Sequence, residues 1–188
     1  MNHIRSITLV LAIGLFSGCA SAPKTAEVKE ISDWKLVFNH NLANGGLVRH
    51  FIPAGEKVDT WSQRFNVTFN KHNPAAAKQS LRAQADEVCA RNTREVSVQL
   101  KNAGKPDCQV KCGFITTSDA SLVFEIPQTC SASNSNYQLL RWIAAPEGMY
   151  YFSFLQKQAV TPDTRSKWLA IMNATRPAKG EHIRDYFD

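Results

Sequence analysis

The sequence predicts an α+β domain, a mostly antiparallel sheet of about eight strands packed against two helices. Three observations carry this reading. Short alternating runs of apolar and polar residues recur along the chain, turn-forming residues join consecutive runs, and two segments opening on Asn-Pro or Thr-Pro place apolar residues at helical spacing. The first run, 34–40, begins Trp-Lys-Leu-Val-Phe, and 46–52 returns across a turn at 41–45, so the two form a hairpin. Pro53-Ala54-Gly55-Glu56 breaks the strand, and 65–69 alternates again as a third strand. Asn73-Pro74 then opens a helix, because Asn accepts from free first-turn amides and Pro fits the first helical position. On that helix Leu81, Ala85, Val88 and Cys89 face inward, while Lys78, Arg82 and Glu87 stay wet.

Residues 95–100 alternate with Val96, Val98 and Leu100 on one side, which reads as a strand. After the break Gly104-Lys105-Pro106-Asp107, runs 113–117 and 121–126 form a hairpin across Ser118-Asp119-Ala120. Runs 137–144 and 149–156 follow, joined by Ala145-Pro146-Glu147-Gly148, which completes a meander. Thr161-Pro162-Asp163 opens a last helix with Trp168, Leu169 and Met172 as its buried face, and Arg176-Pro177 ends it. Residues 177–188 read as a polar, frayed tail. The chain shows no internal repeat.

The N-terminus has a different character. A short basic stretch with His3 and Arg5 precedes an apolar run over 7–16 and the small residues Ser17 and Gly18, the layout of a secretory signal peptide. A run of about ten apolar residues is half the roughly twenty needed to span a bilayer as a helix. Leu15-Phe16-Ser17-Gly18-Cys19 resembles the lipobox of bacterial lipoproteins, departing from it at Phe16, where such boxes usually carry Leu. The resemblance implies diacylglycerol on the Cys19 thiol, cleavage after Gly18 and acylation of the new amino group, giving a membrane anchor of two or three chains. Ala20, where inner-membrane retention would favour Asp, implies transport to the outer membrane, with the domain in the periplasm. The alternative is a signal cut after Ala20 or Ala22, with Cys19 merely its last residue.

Removing the first 18 of 188 residues leaves 170, of which 19–33 read as a lipidated terminus and flexible tether and 34–176 as one globular domain. The net charge of +6 falls to +5 with the loss of Arg5 and is spread without a dense basic run. That distribution speaks against nucleic acid as a partner. Four cysteines remain, Cys89, Cys108, Cys112 and Cys130, an even number in an oxidising compartment, so two disulfides are expected. Of three connectivities the reading favours Cys89 with Cys108 and Cys112 with Cys130, the second stapling the base of the hairpin. A zinc site built on Cys108-x3-Cys112 lacks a second close pair.

Material for catalysis is thin. His40, His50, His72 and His182 are scattered, and none pairs at the i, i+4 spacing that puts two ligands on one helix face. His40 and His50 read as exposed residues at opposite ends of one hairpin. The chain carries no Gly-x-Ser-x-Gly elbow and no phosphate loop. These residues point to no metal, cofactor or enzymatic activity. The aromatics stand out instead: Tyr150, Tyr151, Phe152 and Phe154 load one strand on both faces, and Trp61 sits in the first third. Trp61 and Tyr151 are the candidate partner-binding residues, since Trp and Tyr dominate the energetic centres of interfaces.

The order Phe51-Ile52-Pro53-Ala54-Gly55-Glu56, Trp61, a helix, Cys112 to Cys130 around an apolar strand, and Trp168 in a terminal helix is similar to a family of small bacterial lipoproteins of unassigned function. The resemblance covers 34–174 and reaches toward accessory lipoproteins of type IV secretion and conjugation complexes. It implies no active site, and a structural role for Glu56 as acceptor of backbone amides. The expected function is a membrane-anchored, non-enzymatic component of an envelope assembly that binds other envelope proteins. The alternatives are a module for a lipid or small apolar ligand, with residues 150–154 lining a cavity, and an envelope or cell-wall hydrolase.

Overall fold

The computed structural model describes residues 31–71, 80–105, 107–130 and 135–187. Cys19, the tether through residue 30, His72 and the Asn73-Pro74 helix opening lie outside the described residues. The fold is α+β, with one eight-stranded antiparallel sheet and two helices among the described residues. Its strands are β1 (Lys35–Asn41), β2 (Leu47–Ile52), β3 (Gln63–Asn70), β4 (Gln109–Val110), β5 (Gly113–Thr117), β6 (Ser121–Thr129), β7 (Asn136–Ala145) and β8 (Gly148–Gln156). The helices are α1 (Leu81–Asn102) and α2 (Pro162–Asn173). The sheet runs β1-β2-β3-β8-β7-β6-β4, with β5 also paired to β6.

Hairpins dominate because turn residues sit where the alternation stops. β7 and β8 are joined through Pro146-Glu147, with Ala145 opposite Gly148. Gly148 has φ +151, and a Cβ there would lie 2.3 Å from the carbonyl oxygen of Asn70, so only glycine lets the hairpin close against β3. β8 is thereby placed between β7 and β3, which joins the N-terminal meander to the C-terminal one.

Alternation divides the core in two. On one side of the sheet Phe65, Val67 and Phe69 of β3, Phe152 and Phe154 of β8 and Leu139 of β7 pack beneath α2, which contributes Trp168, Ile171 and Met172. Leu169, expected on that buried face, is only partly buried and Ile171 takes its place, because successive inward positions on α2 fall at 168, 171 and 172. Thr161 caps α2, accepting from the Thr164 amide at 3.2 Å, and Pro162 occupies the first turn as expected. On the other side Leu122, Phe124 and Ile126 of β6 and Leu140 and Trp142 of β7 pack against Leu81, Ala85 and Cys89 of α1.

Three expectations are corrected. Residues 95–100 are the second half of α1 and form no strand: Val96 and Leu100 extend the stripe of Leu81, Ala85 and Cys89 at helical spacing, while Val98 turns outward and is 52% exposed. Nothing breaks the helix before Gly104, whose φ of +72 ends it. The eighth strand is β4 instead. Second, the segment after Arg176 is no frayed tail. Ile183, Tyr186 and Phe187 are buried in the core around a 3-10 turn at Ile183–Tyr186, and Thr175 bridges to Phe187. At the other end Ile31 is buried too, ahead of the expected boundary at 34.

Third, the disulfides join Cys89 to Cys112 and Cys108 to Cys130. Register explains the pairing. Gln109 lies opposite Thr129 across β4 and β6, so the next position outward sets Cys108 beside Cys130, with Cα atoms 4.2 Å apart. Gly113 lies opposite Glu125, which sets Cys112 several residues away from Cys130 along the same strand and leaves it to the α1 cysteine.

Candidate binding cleft

Glu56, in the break after β2, accepts the Ser62 amide at 2.7 Å and also the Ser62 hydroxyl. This is the acceptor role expected of it, and it folds the loop 53–62 back so that Trp61 is presented just before β3 begins. From the far side Lys157 donates its amide to the Ser62 carbonyl at 2.9 Å, extending the β3–β8 ladder by one residue. Trp61 therefore stands over the end of that ladder. The Lys157 ammonium lies 4.1 Å from its ring centre and the Arg64 guanidinium 4.5 Å. Both are cation–π contacts.

Beside the Trp61 ring opens a cleft of about 350 Å³. One wall is Val96 of α1 and Val110 of β4, the floor is Ile126 of β6 and Leu155 of β8, and Lys157 stands at the edge. The two disulfides bracket that wall, since Cys89 lies on α1 and Cys108 and Cys112 flank β4. The cleft also meets the amides of Gln128, Asn136, Gln138 and Gln156. Several are already engaged: Asn136 donates to Gln128 at 3.4 Å, Gln63 donates to Gln156 at 3.1 Å, and Gln156 donates to the Ala159 carbonyl at 3.4 Å.

Tyr151 lies on the same side of the sheet as Leu155, four residues and hence about 13 Å along β8. It is half-buried, edge-on to Trp142 at 5.1 Å, and burial, partly offset by a hydrogen bond with Asn70, raises its phenol above the ordinary range. The two candidate partner-binding residues thus share one face without touching the same neighbours. The rest of the aromatic strand does not line a cavity as expected. Tyr150, Phe152 and Phe154 point to the opposite side and are core, with Phe154 stacked on Trp168 at 3.7 Å.

Next to Arg64 on this face runs a polar strip. Asn66 donates to the Ser153 hydroxyl at 3.0 Å while its Oδ1 is buried without a partner, and the Arg64 Nε is buried without an acceptor. His50 pairs with Asn66 across the β2–β3 ladder and stacks on Phe38 at 4.9 Å. Burial, reinforced by the charge of Arg64, lowers the His50 imidazole below its ordinary range and so favours its neutral form. His40 lies opposite Val48, nearer the turn, and is exposed. The two histidines belong to one ladder at different depths.

The best-formed ionic cluster is on the other face. Arg165 of α2 grips Glu125 of β6 with two bonds of 2.7 and 2.9 Å, and Tyr137 donates to the same carboxylate at 2.8 Å. Burial by itself would raise the Glu125 carboxyl, but these bonds and the Arg165 charge hold it below the ordinary range. A carboxylate so engaged ties α2 to the sheet and is a poor base. Among the described residues no group of three or more His, Cys, Asp or Glu could hold a metal ion, and no helix is long and apolar enough to cross a membrane. No protein-family model matches the chain, and no curated protein does.

Trp61 was legible as an aromatic in a Gly-Glu loop. The partners that give it a setting were not. Arg64 and Lys157 are ordinary basic residues in the sequence, and the alternation around Val96 reads there as a strand. The only sequence signal for Lys157 was its place one residue past the strand that pairs with β3.

Proposed function

We propose that the chain is a lipid-anchored envelope protein, tethered to the outer membrane through Cys19, whose domain is a non-enzymatic binding module. The observation that carries the reading is the setting of Trp61: a part-exposed indole at the mouth of an apolar cleft, flanked by two cations, on the face that also presents Tyr151. Trp, Tyr and Arg are the residues enriched at the energetic centres of recognition surfaces. The lipobox supports the anchor, and an anchored domain meets membrane-bound partners at high effective concentration, so modest affinity is enough. Other envelope proteins, within an assembly of the secretion or conjugation kind, are the partners this reading expects.

The test is a crosslinking pull-down of the full-length acylated protein from its own membranes, beside Cys19→Ser, Trp61→Ala and Tyr151→Ala. The expected result is a fixed set of envelope proteins, lost with Cys19→Ser and depleted with either aromatic variant. A protein that comes out alone sinks the assembly reading. The cleft favours a second reading, a site for a small apolar ligand, because its volume lies at the lower end of the few hundred cubic ångströms typical of such sites.

A further inference from the structure

We propose that the cleft beside Trp61 binds an amphiphile with a single acyl chain and an anionic head, the chain lying on Val96, Val110, Ile126 and Leu155 and the head at Lys157 and Arg64. The inference rests on reading the Trp61 face as a binding surface and names the chemistry it would take.

Shape and lining suit an apolar chain. Four aliphatic side chains from α1, β4, β6 and β8 converge with an indole on one opening, which is more apolar surface than a glycan or a peptide backbone would use. A space of about 350 Å³ suits one chain and is too small for the two of a phospholipid. Disulfides tie α1 to the segment after β4 and the start of β4 to the end of β6, which reduces the ordering that binding requires of the protein.

The charged part is an uncompensated pair of cations. The ion pairs among the described residues are Arg49 with Glu181, Arg82 with Asp86 and Arg165 with Glu125, and neither Lys157 nor Arg64 has a carboxylate partner. Both instead share the Trp61 ring. Two like charges drawn to one indole repel each other, and the buried Arg64 Nε makes no hydrogen bond. A buried donor without an acceptor calls for an explanation. An anion between the two cations supplies the missing countercharge, and a guanidinium suits a carboxylate or phosphate head. Three of the four amides at the cleft wall are already engaged, Asn136 with Gln128 and Gln156 with Gln63 and the Ala159 carbonyl, so the cations are the groups that would choose the head.

The experiment uses the full-length chain with both disulfides formed and Cys19→Ser, which removes the thiol to be acylated. Dodecanoate, dodecyl phosphate, dodecyltrimethylammonium and acetate are titrated below their micelle-forming concentrations, with affinity read by calorimetry and tryptophan emission as a second signal. Trp34, Trp142 and Trp168 are buried, so Trp61 reports on the cleft. Dodecanoate or dodecyl phosphate is expected to bind saturably with a change in emission, at least tenfold more tightly than the cationic amphiphile, while acetate does not bind. The comparison of the two anions says whether the head is carboxylate or phosphate. Trp61→Phe is expected to abolish the emission change, Lys157→Gln and Arg64→Gln each to weaken binding about tenfold, and Val96→Asp to abolish it, with melting temperature as the check on folding. Equal affinity for the cationic amphiphile overturns the proposal, as does unchanged affinity in the folded Lys157→Gln and Arg64→Gln proteins. The membrane pull-down, run without added amphiphile, separates the two readings. No partner captured while the amphiphile binds removes the assembly reading alone, and partners captured while no amphiphile binds removes this one alone.

Discussion

Arg49 shows how one buried charge can organise a distant segment. It lies on β2, pointing to the α2 side, and is almost wholly buried. Its Nη1 donates to the carbonyls of Lys179 and Gly180 at 2.6 and 2.5 Å and to the Tyr186 hydroxyl at 3.0 Å, while Nε donates to Asn39 at 3.2 Å. Glu181 is 3.9 Å away but exposed, so the hydrogen bonds carry more than that ion pair. Arg49→Leu should strand those acceptors without a donor. Stranded buried acceptors cost about 1–3 kcal/mol each, and a net loss of about 3 kcal/mol lowers Tm by roughly 6–12 °C in a domain of this size. An unchanged Tm would show that water replaces the guanidinium. His50 makes a prediction of opposite character. Its imidazole is held below its ordinary range by burial and then by the charge of Arg64, so the unfolded chain takes up the proton first. Stability is therefore full above about pH 6.5 and falls as pH drops below it, levelling once the folded protein also protonates. His50→Gln should flatten this part of a Tm-against-pH profile. The further loss below about pH 4.5 should remain, because there Glu125, held low by its bonds despite burial, takes up a proton. A profile in His50→Gln that keeps its slope between pH 5 and 6.5 would assign that slope to another group.

At the scale of elements, α1 owes its position to one covalent tie and a modest apolar stripe. Leu81, Ala85 and Cys89 are its fully buried residues, all in the first half, and Val96 and Leu100 are only partly covered. The Cys89–Cys112 bridge closes a sequence separation of 23 residues, for which chain entropy gives about 3 kcal/mol. Cys89→Ala with Cys112→Ala should lower Tm by roughly 6–12 °C. It should also raise hydrogen exchange along residues 90–102 ahead of the sheet, because that half of the helix has least packing to replace the tie. Uniform exchange across α1 and the sheet would refute this order. The same features show what the sequence could and could not disclose. Hairpins were readable because period-two alternation around Leu47–Ile52 or Gly148–Gln156 ends in residues that turn. Residues 95–100 misled because Val96, Val98 and Leu100 satisfy a strand, while Val96 and Leu100 alone satisfy a helix, and only the stripe already set by Leu81 and Ala85 decides between them. The disulfide pairing was hidden in β4, two residues long, whose register on β6 aligns Cys108 with Cys130. The cleft was not readable at all, since its lining comes from residues 61, 96, 110, 126 and 155 and exists only when five segments meet.

For the whole molecule the decisive question is whether the two halves of the sheet and the last residues form one cooperative body. β8 lies between the N-terminal strands β1 to β3 and the C-terminal strands β7 and β6, and the C-terminal segment lies across the α2 side of the sheet. There Tyr186 meets Phe51 of β2 at 6.0 Å and Phe152 of β8 at 6.1 Å, and Phe187 meets Phe65 of β3 at 5.6 Å. The final segment is thus a wedge between strands that are far apart in sequence. Each buried aromatic removes on the order of 200 Å² from water, and at about 25 cal/mol per Å² the two together contribute roughly 10 kcal/mol, an upper estimate against an extended chain. Ile183 adds about 2 kcal/mol by the same measure. A domain of this kind is stable by about 5–15 kcal/mol in total. A chain ending at Arg176 should therefore fail to reach the native state, even though it keeps all eight strands and both helices. The expected signs are loss of near-UV circular dichroism, with Trp34 and Trp168 released from their fixed packing, and a broad melt in place of a cooperative one. The milder variant Tyr186→Leu, which keeps an apolar side chain but loses the ring contacts and the hydroxyl bonded to Arg49 and to the Gly180 carbonyl at 2.6 Å, should fold with reduced Tm. A truncated chain that melts cooperatively with native near-UV signal would mean that residues 177–187 decorate a finished core, and the domain boundary near 176 read from the sequence would stand.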